Sequence, residues 1–178
     1  MVGYSEVIQT MAAMVLFSLI LLTSNRMIFI NSQKEIESSA EKKAITIAQT
    51  YIDEARALPF DANSTSGPPA TVPDGFSDCG AGTGETPANY NDFDDYHDLP
   101  PTTVDWKPGS GDGAFEVDIE VLYVTKASGY DMASGHTGTP YTPYKKMVVT
   151  VTSDYLTDNN GDKIEIRVPY LRRYYKTE

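Results

Sequence analysis

Apolar residues follow three different spacings along this chain. From Val7 to Leu22 they run almost without interruption as VIQTMAAMVLFSLILL, sixteen residues with no charge, and MIFI resumes the run after Thr23–Arg26. A helix needs about 20 apolar residues to cross a bilayer core. The first run falls slightly short, and Met27 to Ile30 extend it if Arg26 reaches back to the interface along its aliphatic stem. From Gln33 onward the spacing changes. Ile36, Ala40, Ala44, Ile47, Ala48, Tyr51, Ala55 and Leu58 recur at steps of three or four, which lines them up on one helical face. Pro59 is the first proline and Gly3 the only earlier glycine. One helix over about residues 2–58 is therefore expected, roughly 85 Å long at 1.5 Å per residue.

The third spacing is alternation. In AFEVDIEVLYVT, Phe115, Val117, Ile119, Val121 and Tyr123 alternate with Glu116, Asp118 and Glu120, the mark of a half-buried strand. KKMVVTVTSDYL and KIEIRVPYL repeat that period around the turn signal Thr157-Asp158-Asn159-Asn160-Gly161-Asp162, which predicts a hairpin. The expected class is α+β: the long helix, a long acidic connecting loop, and a C-terminal antiparallel sheet of three or four strands covered by the striped half of the helix. Four segments follow. Residues 1–32 form the hydrophobic helix, 33–58 its amphipathic continuation, 59–113 a loop rich in Gly, Pro and Asp, and 114–178 a β meander.

Charge refines this division. The chain of 178 residues has a formal net charge of −11, which disfavours nucleic acid as a partner because phosphates would be repelled. Between Arg56 and Lys107 there is no lysine or arginine but there are nine acids. Aromatics in the same stretch, among them Phe76, Phe93, Tyr96 and Trp106, predict that the loop is pinned onto a core. The single cysteine, Cys79, excludes an internal disulfide framework and is expected to be buried. His97 and His136 stand apart from any nucleophile, and Gly80–Gly84 lacks the strand-then-helix setting of a phosphate loop, so no enzyme is expected.

The retained apolar helix, its amphipathic continuation, the variable loop and the C-terminal meander together resemble the type IV pilin superfamily, and Glu6 carries the sharpest part of the likeness. The resemblance implies a subunit held by its helix in the cytoplasmic membrane, then handed by membrane-borne assembly machinery into an extracellular homopolymer. It also implies that Glu6 pairs with the amino terminus of a neighbouring subunit. No basic segment precedes the apolar run and no small-residue cleavage site follows it, so the run is expected to persist in the mature protein. Loss of Met1 would make Val2 the first residue and bring Glu6 into the family register. The helix-breaking proline of many bacterial pilins is missing, and Leu22-Thr23-Ser24-Asn25 occupies that region.

Each of these features also has a plainer reading. Glu6 suits a helix start, where the macrodipole favours acids. Arg26 is either a boundary residue or a partner for a carboxylate on a neighbouring helix. Asp92, Asp94, Asp95 and Asp98 offer the several oxygens that calcium needs, but without the spacing of a known calcium loop, and no metal or other cofactor is expected. Arg172, Arg173 and Lys176 invite pairing with the acidic loop, within one subunit or between subunits. Asn63-Ser64-Thr65 forms a sequon for glycosylation. Outside the filament reading, two alternatives remain: a single-pass anchored binding domain that never polymerises, and a low-copy minor pilin or secretion pseudopilin.

Overall fold

The computed structural model describes residues 3–107, 113–158 and 161–175, apart from the side chain of Asp98. Helix α1 runs without a break over Tyr4–Ala57, 54 residues. The Thr23–Asn25 segment stays α-helical, and the Thr23 hydroxyl donates to the carbonyls of Leu19 and Ile20. Four strands follow: β1 (Thr102–Trp106), β2 (Gly113–Tyr123), β3 (Tyr144–Thr152) and β4 (Ile166–Arg173). They form one antiparallel sheet in the order β1-β2-β3-β4. The α+β class, the long helix and the β3–β4 hairpin agree with the sequence pattern.

One boundary needs correction. The stretch 59–113 is not loop throughout, because Thr102–Trp106 pairs with Gly113–Val117 as an edge strand. Its five residues follow Pro100-Pro101 and are too few for alternation to stand out; backbone pairing with β2 supplies what local sequence does not.

The chain divides into two units, Met1–Ser39 and Ala40–Glu178. In the first, every described residue is solvent-exposed, the large apolar ones from Tyr4 at 91% down to Ile36 at 36%. In the second, the helix turns Ala40, Ala44, Ile47, Ala48, Ile52 and Ala55 onto a core shared with Phe115, Val117, Ile119, Val121, Met147, Val149 and Val151. Alanines at most of these positions let the helix axis approach the sheet closely. The stripe predicted over 33–58 is thus trimmed at its start, where Ile36 is exposed, and gains Ile52. Arg172 on β4 closes the helix. Its guanidinium donates to the carbonyls of Ala55, Leu58 and Pro59, groups that have no partner inside the helix. The hairpin turn is held by Gly161 N–H to Asp158 O at 3.0 Å and by Gly161's φ of 89°, which suits glycine.

Candidate functional site

Two places carry chemistry, one in each unit. In the first unit, Val7 to Leu22 presents Val7, Ile8, Met11, Met14, Val15, Leu16, Phe17 and Leu19 to the outside, each at least 47% exposed. The helix is long and apolar enough to cross a membrane by length and composition. Its few hydroxyls bond inward to its own backbone: Thr10 to Val7 O and Ser18 to Met14 O. An apolar surrounding requires this of them. Glu6 lies in the first turn, its N–H donating to Gly3 O at 3.0 Å, with its side chain exposed. Arg26 is exposed farther along the same helix. Met1 and Val2, the other two assembly candidates, lie outside the described residues.

The second place lies inside the sheet unit. Alternation along β3 turns Met147, Val149 and Val151 inward, and Lys145 is in phase with them. Its side chain is fully buried. Its Nζ donates to Asp61 Oδ2 at 2.8 Å, to Asp94 Oδ1, and to the Phe60 carbonyl at 3.2 Å. The rings of Phe60 and Tyr123 cover it, with centroids 4.8 and 4.7 Å away. Tyr123 is the β2 residue directly opposite Lys145 in the ladder. Phe76 packs on both rings, closing an aromatic wall over the ion cluster.

The two carboxylates are held very differently. Asp61 caps the short 3-10 turn Ala62–Ser64 and accepts from Asn63 N–H at 3.1 Å. It also accepts from Ser77 N–H, and its Oδ2 takes the Tyr123 hydroxyl at 2.9 Å. Every oxygen of this side chain therefore has donors. Asp94 has Lys145 on Oδ1, whereas its buried Oδ2 has no hydrogen-bond partner among the described residues. Burial pushes the Asp94 carboxyl up to about 8, and Lys145 offsets only part of that. Asp92, buried beside it, raises it further. Burial works to lower Lys145, but its acidic neighbours, Asp94 first, outweigh this and hold it above the ordinary lysine value. Taking one partner out of such a cluster leaves an uncompensated buried charge, which typically costs about 3–5 kcal/mol.

The other loop acids are also engaged. Asp95 Oδ2 accepts from Asn91 N–H at 2.7 Å and Asp92 N–H at 3.1 Å, and Asp92 Oδ1 accepts from Asp94 N–H at 3.0 Å. Among the described residues no group of three His, Cys, Asp or Glu side chains converges as a metal site. Of the calcium candidates, Asp92 and Asp95 accept backbone N–H groups of the loop and Asp94 accepts from Lys145; the side chain of Asp98 lies outside the description. Of the basic tail, Arg172 lies near enough to Asp92 and Asp94 to feel their charge. Arg172 closes the helix and lies over the Phe93 ring, Arg173 lies over Tyr144 and Tyr175, and Lys176 is outside the described residues. The lysine that meets the acidic loop is Lys145.

Cys79 is only half-buried, against the Phe60–Phe76–Tyr123 cluster, and burial holds its thiol well above the ordinary value. His97 Nδ1 accepts from Val121 N–H at 3.2 Å, and the His136 ring stacks on Tyr123. Asn63 is exposed but its side-chain amide already donates to Gly75 O at 3.1 Å.

Compared with protein families, curated proteins and solved structures, the chain matches none. The architecture itself, a long apolar N-terminal helix whose later turns pack on an antiparallel sheet, agrees in general form with the pilin-like arrangement the sequence resembles.

Proposed function

We propose that this chain is the structural subunit of a type IV pilus-like filament that polymerises through the first unit of α1. One observation carries the reading. A single unbroken helix is exposed as far as Ser39, with a nearly continuous apolar surface from Val7 to Ile30, and from Ala40 one face is buried on its own sheet. The sheet unit is complete without the first 39 residues, so their apolar surface needs another environment, first lipid and then copies of itself.

Moving the helix from lipid into a bundle gains little from the hydrophobic effect, because lipid tails are as apolar as the neighbouring helices. Packing and the charge of Glu6 then supply register. Glu6 would meet the amino terminus of an adjacent subunit, an ion pair made valuable by its apolar surroundings. A head-to-tail contact of this kind does not close, and it propagates as a helical filament. The acidic sheet units would coat the outside, where like charge keeps filaments dispersed.

Glu6→Ala tests the role of the carboxylate. The variant is expected to accumulate in the membrane at the normal level while surface filaments fall at least tenfold. Unchanged filament number would remove Glu6 from the assembly mechanism. A parent protein that stays monomeric on cells and in detergent would instead indicate an anchored binding domain.

A further inference from the structure

From the placement of Lys145 Nζ against two buried, unequally held carboxyl groups, we infer that the sheet unit matures by forming an intramolecular amide bond between Lys145 and Asp94, with Asp61 relaying the protons. The inference stands whether or not the chain polymerises.

Three features of the site suit this reaction. First, proximity is built in. Productive attack needs reacting atoms roughly 3–3.5 Å apart. A nitrogen hydrogen-bonded to one carboxyl oxygen is already at about that range from the carboxyl carbon. β3 fixes Lys145, and the Asp92–Asp95 turn fixes Asp94 through the Asp94 N–H to Asp92 bond, so neither side chain is free to drift. Second, the two acids differ in the way the chemistry needs. Asp61, with donors on both oxygens, is a firmly held carboxylate suited to moving protons. On Asp94, Oδ2 accepts no hydrogen bond among the described residues and the carboxyl's other side-chain neighbour is a second acid, Asp92, so no backbone donor holds the departing oxygen. Third, the site is enclosed and walled by Phe60, Phe76 and Tyr123, with all three reacting side chains at most 1% exposed. Bulk water is therefore kept from competing with the amine or hydrolysing the product.

The step balances with nothing added. Asp61 Oδ2 takes a proton from the Lys145 ammonium, leaving a neutral amine beside the protonated Asp94. The Nζ lone pair forms the N–C bond to Asp94 Cγ as the carbonyl pair moves onto its oxygen. Asp61 hands its proton to the Asp94 hydroxyl and collects a second proton from nitrogen. The C–O bond breaks with its electron pair on oxygen, water leaves and the carbonyl reforms. The products are one amide, one water and a protonated Asp61, and the net charge of the three side chains is the same before and after. The uphill step is the first proton transfer, because the acids favour charged Lys145. Formation during maturation rather than at once is therefore expected.

The test is a peptide map of the full-length chain, purified in detergent, denatured and digested with trypsin, then read by tandem mass spectrometry. The expected result is a branched peptide joining the Asp94 segment to the Lys145 segment. It should be lighter than its two arms by one water, with cleavage after Lys145 blocked. Lys145→Arg should give only linear peptides, and Asp61→Asn should leave most chains linear while keeping the β-sheet circular dichroism of the parent. Parent protein that yields only linear peptides, cut normally after Lys145, overturns the inference whatever the variants do. A branch between Lys145 and Asp61 would overturn the assignment of roles.

Discussion

A lysine that faces inward on a strand must bring its own counter-charges or lose them to solvent, and Lys145 meets that demand with residues 84 and 51 positions away. With Met147, Val149 and Val151 facing in, Lys145 falls on the same face of β3, although alternation alone led to no expectation of a buried amine there. Its partners were not legible. Asp61 and Asp94 sit in an acid-rich stretch where local sequence gives no means of telling an exposed aspartate from a buried one, and only the fold brings them to Lys145. The same limit applied to Asp95, one of the acids considered for calcium. Burial pushes its carboxyl up to about 6, against the ordinary aspartate value of about 4. A folded-state pKa above the unfolded one stabilises the fold at low pH, and that contribution is lost as pH rises through the folded value. Asp95→Asn, uncharged at every pH, should therefore gain stability relative to the parent between about pH 4 and pH 7. Thermal unfolding of both proteins across that range checks it, and a constant difference would contradict the assignment.

The helix was the clearest element in the sequence because two separate signals agreed on it: an uncharged run long enough for lipid, and then a stripe at steps of three and four. The stripe was right about Ala40, Ala44, Ile47, Ala48 and Ala55 and began one turn too early at Ile36, where the sheet unit has not yet started. β1 was illegible for the opposite reason, since five residues after two prolines carry almost no period of their own. Small side chains on the buried face make close packing specific, not merely apolar. Ala44, fully buried, should not accept a larger residue. Ala44→Leu is expected to cost about 1–3 kcal/mol by overpacking. The same side chain at the exposed neighbour Thr46 should change stability by less than about 0.5 kcal/mol. Denaturant titration of the two variants separates these outcomes. Equal effects would mean that the helix does not pack on the sheet as described.

At the scale of the whole molecule, the two units answer different physical demands. The sheet unit packs its own core and closes its own helix terminus, whereas the described residues of the first unit leave an apolar helix surface exposed. Composition made that imbalance visible before any coordinates, because the uncharged run holds more apolar surface than a chain of this size can wrap. What the sequence could not show was that the helix stays continuous through Leu22-Thr23-Ser24-Asn25, where the hydroxyl of Thr23 folds back onto the helix backbone. Electron cryo-microscopy of material sheared from cells expressing the chain tests this account most directly. It predicts filaments with a central bundle built from residues 4–39 of many subunits and the sheet units arrayed outside. Sheared material without filaments, or filaments whose axis is formed by the sheet units, would contradict it.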